Sequence, residues 1–234
     1  MEIRQLHSWD LNYAEARELQ SELQSQLRLV PLEGEVKYIA GCDVSSALRS
    51  RNFTAAVVVM NFPEMEVIEK VSTELDVDFP YIPGLLSFRE MPVLLKAWER
   101  ITNVPDLIFC DGSGLIHPRK MGLACHLGLW LRIPVIGCAK NLLCGEYKPP
   151  NTEKTSVAEV EYEGEVVGAA VRTRTDVKPM FISPGNLISL KEAIDFVLKA
   201  CPKYRIPEPI RAAHRVANEA RDRIVEAKRF VKCY

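Results

Sequence analysis

The chain has 234 residues, 47% hydrophobic and 26% charged, with a formal net charge of -1. That length buries a full core and suits one large domain, while the near-neutral total excludes a uniformly basic nucleic-acid binder. No apolar run approaches the roughly 20 residues that span a bilayer, and the first residues carry neither an apolar export core nor a cleavage motif, so neither a membrane protein nor a secreted one is expected.

The seven cysteines are scattered and form no Cys-x-x-Cys pair, which reads as reduced thiols in a cytoplasmic protein. A zinc site using Cys125 and His126 would need four well-spaced ligands and is set aside. Charge divides unevenly along the chain. Residues 1 to 117 carry 10 Lys and Arg against 18 Asp and Glu, whereas residues 118 to 234 carry 20 against 13. An acidic cluster beside a basic surface is what a metal-using nuclease requires, although two solvated faces would read the same way.

In chain order, Leu19, Leu23 and Leu27 recur at helical spacing and predict an amphipathic helix over Asn12 to Leu29, packed outside a sheet. Lys37 to Val44, Phe53 to Asn61 and Glu66 to Val77 are rich in Val, Ile, Tyr and Thr and predict three antiparallel strands, the third partly exposed or near an edge. After the Pro80-Tyr81-Ile82-Pro83-Gly84 turn, Ser87 caps a predicted helix through Arg100, with Glu90 completing a capping box. Asp106 to Asp111 is a short apolar strand closed by Gly112-Ser113-Gly114. A helix from Met121 to Leu131 and a strand from Pro134 to Cys138 follow, implying a parallel crossover. A hairpin around Glu163-Gly164 over residues 155 to 175, and helices over Ser189 to Ala200 and Glu208 to Arg229, complete the chain. The expected fold class is α/β, a ribonuclease H-like domain in which a central mixed sheet is flanked by helices.

Asp43 interrupts an apolar strand, and Asp111 ends a buried parallel strand, where α/β sheets place their ligands. With Glu90 they form a like-charge cluster that is stable when protonated, paired with Lys or Arg, or bound to a hard cation. Oxygen ligands select Mg²⁺ or Mn²⁺. Each acid taken alone reads equally well as a capping or salt-bridged residue.

Gly41-Cys42-Asp43-Val44, Pro80 to Glu90, Asp111-Gly112-Ser113-Gly114 with His117-Pro118-Arg119, Gly137-Cys138-Ala139-Lys140, Ser183-Pro184-Gly185 and Ala213-His214-Arg215 stand in this order, and together they resemble the motif set of the endonuclease V family. The resemblance covers nearly the whole chain. It implies an Mg²⁺ enzyme, with Mn²⁺ as substitute, in which Asp43, Asp111 and Glu90 hold the metal and Lys140 and His214 assist the attacking water or the phosphate. The substrate implied is DNA containing deoxyinosine, or RNA containing inosine, bound by a monomer. The implied cut is at the second phosphodiester bond 3′ to the lesion, leaving 3′-hydroxyl and 5′-phosphate ends. Pro80, Tyr81, Ile82 and Pro83 then become a stiff wedge that fills the gap left by a flipped base. A pocket edged by Gly84, Leu86, Gly112, Gly114 and Gly122 reads the hypoxanthine edge through backbone groups. Arg119, Arg172, Arg174, Arg211 and Arg215 are candidates for phosphate contacts. Two positions depart from the family pattern: Asn141 after Lys140, where Ser is frequent, and Asn186 after Ser183-Pro184-Gly185, where His is usual.

Overall fold

The structure is a computed structural model describing residues 3, 5–48 and 50–231. Helix α1 (Tyr13–Gln24) opens on a capping box in which the Asn12 side chain accepts from the Ala14 and Glu15 amides and Glu15 returns the bond. It stops five residues short of the expected end. The Ser25 hydroxyl donates back to the Glu22 carbonyl and diverts the chain into a turn.

Strands β1 (Tyr38–Ser46), β2 (Asn52–Asn61) and β3 (Val67–Asp76) form the expected antiparallel meander, and β4 (Leu107–Cys110) and β5 (Val135–Ala139) add parallel to β1. Helix α2 (Leu86–Trp98) links β3 to β4, and α3 (Leu123–Leu131) is the crossover helix between β4 and β5. Beyond β5 come β8 (Met180–Asn186), β7 (Glu165–Val171) and β6 (Val157–Tyr162), followed in sequence by α4 (Leu190–Lys199) and α5 (Glu208–Val231). The sheet order is β3-β2-β1-β4-β5-β8-β7-β6, the ribonuclease H-like arrangement of three antiparallel strands feeding a βαβ unit. The exposed, alternating β3 is an edge strand, as its sequence predicts.

Side-chain alternation divides the core between the two faces of the sheet. Ala40, Cys42, Ile108 and Cys110 pack with α2 and α3 on one side, while Ile39, Leu107, Phe109 and Ile136 pack with α4 and α5 on the other. The odd-numbered positions of β1, including Gly41, Asp43 and Ser45, therefore face α5.

Two expectations need correction. Strand β8 was not anticipated because Pro184 reads as a strand breaker. It is tolerated at a register shift opposite Val135 and Ile136, and the part of β8 that pairs with β7 stops at Ile182. The capping box on α2 is absent: Leu85 occupies the N-cap position without a side-chain bond, the Ser87 hydroxyl is buried and unpartnered, and Glu90 is the fifth helical residue. The helix starts early because Leu85 N–H already bonds to the Ile82 carbonyl in the turn that Gly84 makes at φ 80°.

Candidate active site

Asp43 and Asp111 meet because of strand register. Cys42 of β1 lies opposite Cys110 of β4, so the next residue on each strand is an aspartate, and the Asp111 amide donates to the Cys42 carbonyl at 3.4 Å. The strands run parallel, which brings both acids to the same end of the sheet on the side facing α5. Helix α5 can come this close because residue 41 is glycine: a Cβ there would lie 2.0 Å from the Pro209 carbonyl oxygen. From that position His214 Nδ1 reaches Asp43 Oδ2 at 2.8 Å. Lys140, immediately after β5, places Nζ 2.6 Å from Asp111 Oδ2.

Each aspartate thus has a cationic or hydrogen-bonding partner, yet the pair is still electrostatically strained. Burial raises the Asp43 pKa above the ordinary carboxylate range, Asp111 raises it further, and His214 and Lys140 oppose the shift. Glu90 comes in from α2 and feels burial and the charges of Asp43 and Asp111, which push its pKa up to about 8 against the opposing pull of Arg89. In the absence of a cation Glu90 therefore keeps its proton at neutral pH.

Among the described residues, Asp43, Asp111 and His214 form a group whose potential ligand atoms all lie within 4.8 Å of one another. Glu90 stands outside this tight group, close enough for charge but not for that spacing. The carboxylates suit a hard divalent cation, and such an ion would offset the burial and the charges of Asp43 and Asp111 that keep Glu90 protonated. Beside the acids a groove of about 530 Å³ runs along α5, with Asp111, Lys140, His214, Arg215 and Asn218 on its walls.

The proposed wedge lies at an exposed tip: Tyr81 is 68% exposed, and Ile82 packs on Leu85 and Phe88. Behind it, the Gly84 carbonyl accepts from Arg119 Nη2 at 2.7 Å and from His117 Nε2 at 3.0 Å. His117 Nδ1 accepts from the Arg119 amide, which assigns the proton to Nε2. Burial and the neighbouring Arg119 lower the His117 pKa to about 4, so it holds the turn as a neutral ring. Leu86 is partly exposed beside the tip. Of the remaining pocket residues, Gly112 touches Leu123, Gly114 packs against Pro184 and Gly122 against Ser113, and the last two approaches leave no room for a side chain.

The five arginines are dispersed. Arg211 and Arg215 lie on the groove, Arg211 also pairing with Glu208 and stacking on Tyr204. Arg174 is exposed in the loop after β7. The Arg119 guanidinium is engaged by Gln20 and Gly84, and that of Arg172 by the carbonyls of Asn151, Val177 and Pro150. Asn141 is exposed next to Lys140. Asn186 is buried, accepts from the Arg28 amide and donates to the Gly128 carbonyl, so it joins the α1–β1 connection to α3 at a distance from the acids.

Sequence reasoning missed Arg205, whose Nη2 donates at 2.8 Å to the carbonyls of both Lys140 and Pro179 and so fixes the backbone that carries the ammonium. Its only trace in the sequence is an arginine inside a proline-rich loop. It also missed Gly41 as the reason α5 can dock, although Gly41 stands in the motif that contains Asp43.

Comparisons with known proteins identify the family and the fold. The family model described as Endonuclease V matches residues 21–215. An endonuclease V of Dehalococcoides mccartyi is 47% identical over 219 residues, covering 94% of this chain and 98% of the relative. The crystal structure of endonuclease V from Streptomyces avermitilis superposes with a TM-score of 0.88 at 36% identity, covering 93% of this chain and 96% of that one. That of Ciona intestinalis endonuclease V, in complex with a 23mer DNA containing an inosine followed by a ribo-adenosine, superposes with a TM-score of 0.80 at 27% identity, covering 90% and 97%.

Proposed function

The chain belongs to the endonuclease V family, and on that premise we propose that it cuts DNA beside hypoxanthine, hydrolysing the second phosphodiester bond 3′ to the lesion with Mg²⁺, or Mn²⁺ in its place. The observation that carries this reading is the convergence of Asp43, Asp111 and His214 within 4.8 Å at the head of a groove walled by Lys140 and Arg215. Asp43 and Asp111, with Glu90 within reach of their charge, are the residues that would hold the ion. When bound, a divalent ion acidifies water and neutralises charge at the leaving oxygen.

The protein's own groups supply the rest. Asp43 anchors His214 Nδ1 and so orients the ring, whose Nε2 has no partner among the described residues and is available to take a proton from water. Lys140, held between Asp111 and the backbone fixed by Arg205, presents a positive charge to the scissile phosphate. Arg211 and Arg215 steady the strand along the groove. The exposed Tyr81 tip occupies the space of an extruded base, and Gly84, Leu86 and the 112–114 turn border the base pocket. The Ciona relative binding inosine-containing DNA supports this choice of lesion.

The test is nicking of a labelled inosine oligonucleotide in DNA and in RNA form, with Mg²⁺ and with chelator. We expect Mg²⁺-dependent cleavage, stronger on DNA, leaving 3′-hydroxyl and 5′-phosphate ends, and its loss in Asp43→Asn and Asp111→Asn. A folded wild-type protein that leaves both substrates intact would overturn the reading.

A further inference from the structure

One turn beyond His214, α5 is tied to β1 by a hydrogen-bond chain that the acids and Lys140 do not account for. Arg221 Nη1 donates to Ser45 Oγ at 2.9 Å, and Ser45 Oγ lies 2.8 Å from Asn218 Oδ1. Ser45 stands two residues after Asp43 on the same face of β1. The guanidinium has donors and no acceptor, so Ser45 Oγ must accept from Arg221, and its own proton is left for Asn218 Oδ1. Arg221 is anchored at its other edge by Asp222, through Nε at 2.9 Å and Nη2 at 2.8 Å. Ser45 Oγ could accept a second bond, but its own proton would then have no acceptor among the described residues, so the chain runs from Arg221 through Ser45 to Asn218 with the amide oxygen turned toward the serine.

With its carbonyl oxygen held by Ser45, Asn218 keeps an NH₂ group that has no partner among the described residues. Asn218 is also a wall residue of the groove that holds Asp111, Lys140 and His214. Four helical residues separate it from His214, an offset of about 6 Å along the groove at about 1.5 Å per residue.

Building on the endonuclease reading above, we propose that Asn218 is a strand-binding residue whose NH₂ donates to a non-bridging oxygen of a phosphodiester neighbouring the one that is cut. Ser45 and Arg221 are positioning residues that prevent the amide from turning its oxygen to the phosphate. Orientation is what matters, because a carbonyl oxygen in that place would repel the group that the NH₂ attracts.

The test compares wild-type, Asn218→Asp, Asn218→Ala and Ser45→Ala proteins by anisotropy of a fluorescent inosine-containing 23-nucleotide DNA in chelator, and by nicking of the same DNA in Mg²⁺, after thermal melts confirm folding. Asn218→Asp is nearly isosteric and keeps the bond from Ser45, but its added charge weakens DNA binding by itself, so it can only refute the proposal, and the uncharged Asn218→Ala and Ser45→Ala carry its support. In Asn218→Asp a strand-binding role weakens binding by about tenfold or more. Asn218→Ala and Ser45→Ala are each expected to lose about fivefold. Because Asn218 carries no charge, the slope of log affinity against log salt stays at the wild-type value in both, whereas Arg215→Ala makes it shallower. Asn218→Asp binding within about twofold of wild type would overturn the proposal. Wild-type protein that binds the DNA but never nicks it overturns the endonuclease reading and leaves the affinity comparison to judge Asn218; wild-type protein that does not bind DNA overturns both.

Discussion

Replacing Gly41 with alanine would place a methyl carbon 2.0 Å from the Pro209 carbonyl oxygen and 2.6 Å from the Ile210 amide nitrogen. Carbon–oxygen contacts settle at about 3.3 Å or more, so the first turn of α5 must retreat from β1 by about 1.3 Å. Both obstacles are backbone, and neither can rotate away as the tip of a flexible side chain would. His214 lies one turn further along the same helix, and its 2.8 Å bond to Asp43 would open to about 4 Å, beyond hydrogen-bonding range. Overpacking of this kind costs about 1–3 kcal/mol of stability, and a displacement of about 1 Å in a catalytic group costs about 100-fold in rate. Single-turnover nicking of an inosine-containing oligonucleotide, run beside urea unfolding, would show whether rate falls further than stability. Gly41→Ala protein that nicks within about threefold of the wild-type rate would refute the claim that the close approach of α5 sets the His214 geometry.

Three further outcomes follow from the same arrangement. Glu90 is held with a pKa of about 8 against an ordinary 4.5, so the folded, metal-free protein keeps a proton that the unfolded chain has released. Its contribution is present at low pH and lost as pH rises through about 8. The urea midpoint in chelator should fall between pH 6.5 and 8, Glu90→Gln should flatten that fall, and a midpoint rising over this window in the wild type would contradict the assignment. Tyr81→Ala should weaken binding of the inosine oligonucleotide while leaving the Mg²⁺ concentration for half-maximal nicking unchanged, since the tip stands apart from the acids; a shift in that Mg²⁺ requirement would argue against a wedge. Arg205→Lys cannot bridge the Lys140 and Pro179 carbonyls with one ammonium in the same geometry, and nicking should drop about tenfold with little change in oligonucleotide affinity. Equal losses of rate and affinity would contradict a role for Arg205 in holding the Lys140 backbone.

Sequence alone carried the elements whose signals are local. The apolar character of β1 to β3, the carboxylate that interrupts the apolar strand at Asp43 and the one that ends the run at Asp111, and the helix, strand and turn signals after them were each readable from neighbouring residues, and together they implied the ribonuclease H-like order of strands. Strand β8 was not readable, because Pro184 is unfavourable in most strands and is acceptable here only at a register shift against β5, a partner nearly 50 positions away. The Ser87 capping box failed for a related reason: its spacing is correct, but Gly84 lets the chain turn into the helix two residues sooner.

The ligand geometry belongs to tertiary structure. That Asp43 and Asp111 are neighbours depends on the pairing of Cys42 with Cys110, and that His214 joins them depends on a helix settling where Gly41 has no side chain. The sequence marked Arg119 and Arg172 as cations, and only packing decided that their guanidiniums face protein carbonyls and Gln20 while Arg211 and Arg215 face the groove. Residue chemistry is inherited from sequence, but the direction in which a charged group points is set by contacts between segments far apart in the chain. The acidic inventory of this protein could therefore be read from its letters, and the arrangement that lets those acids act together required the fold.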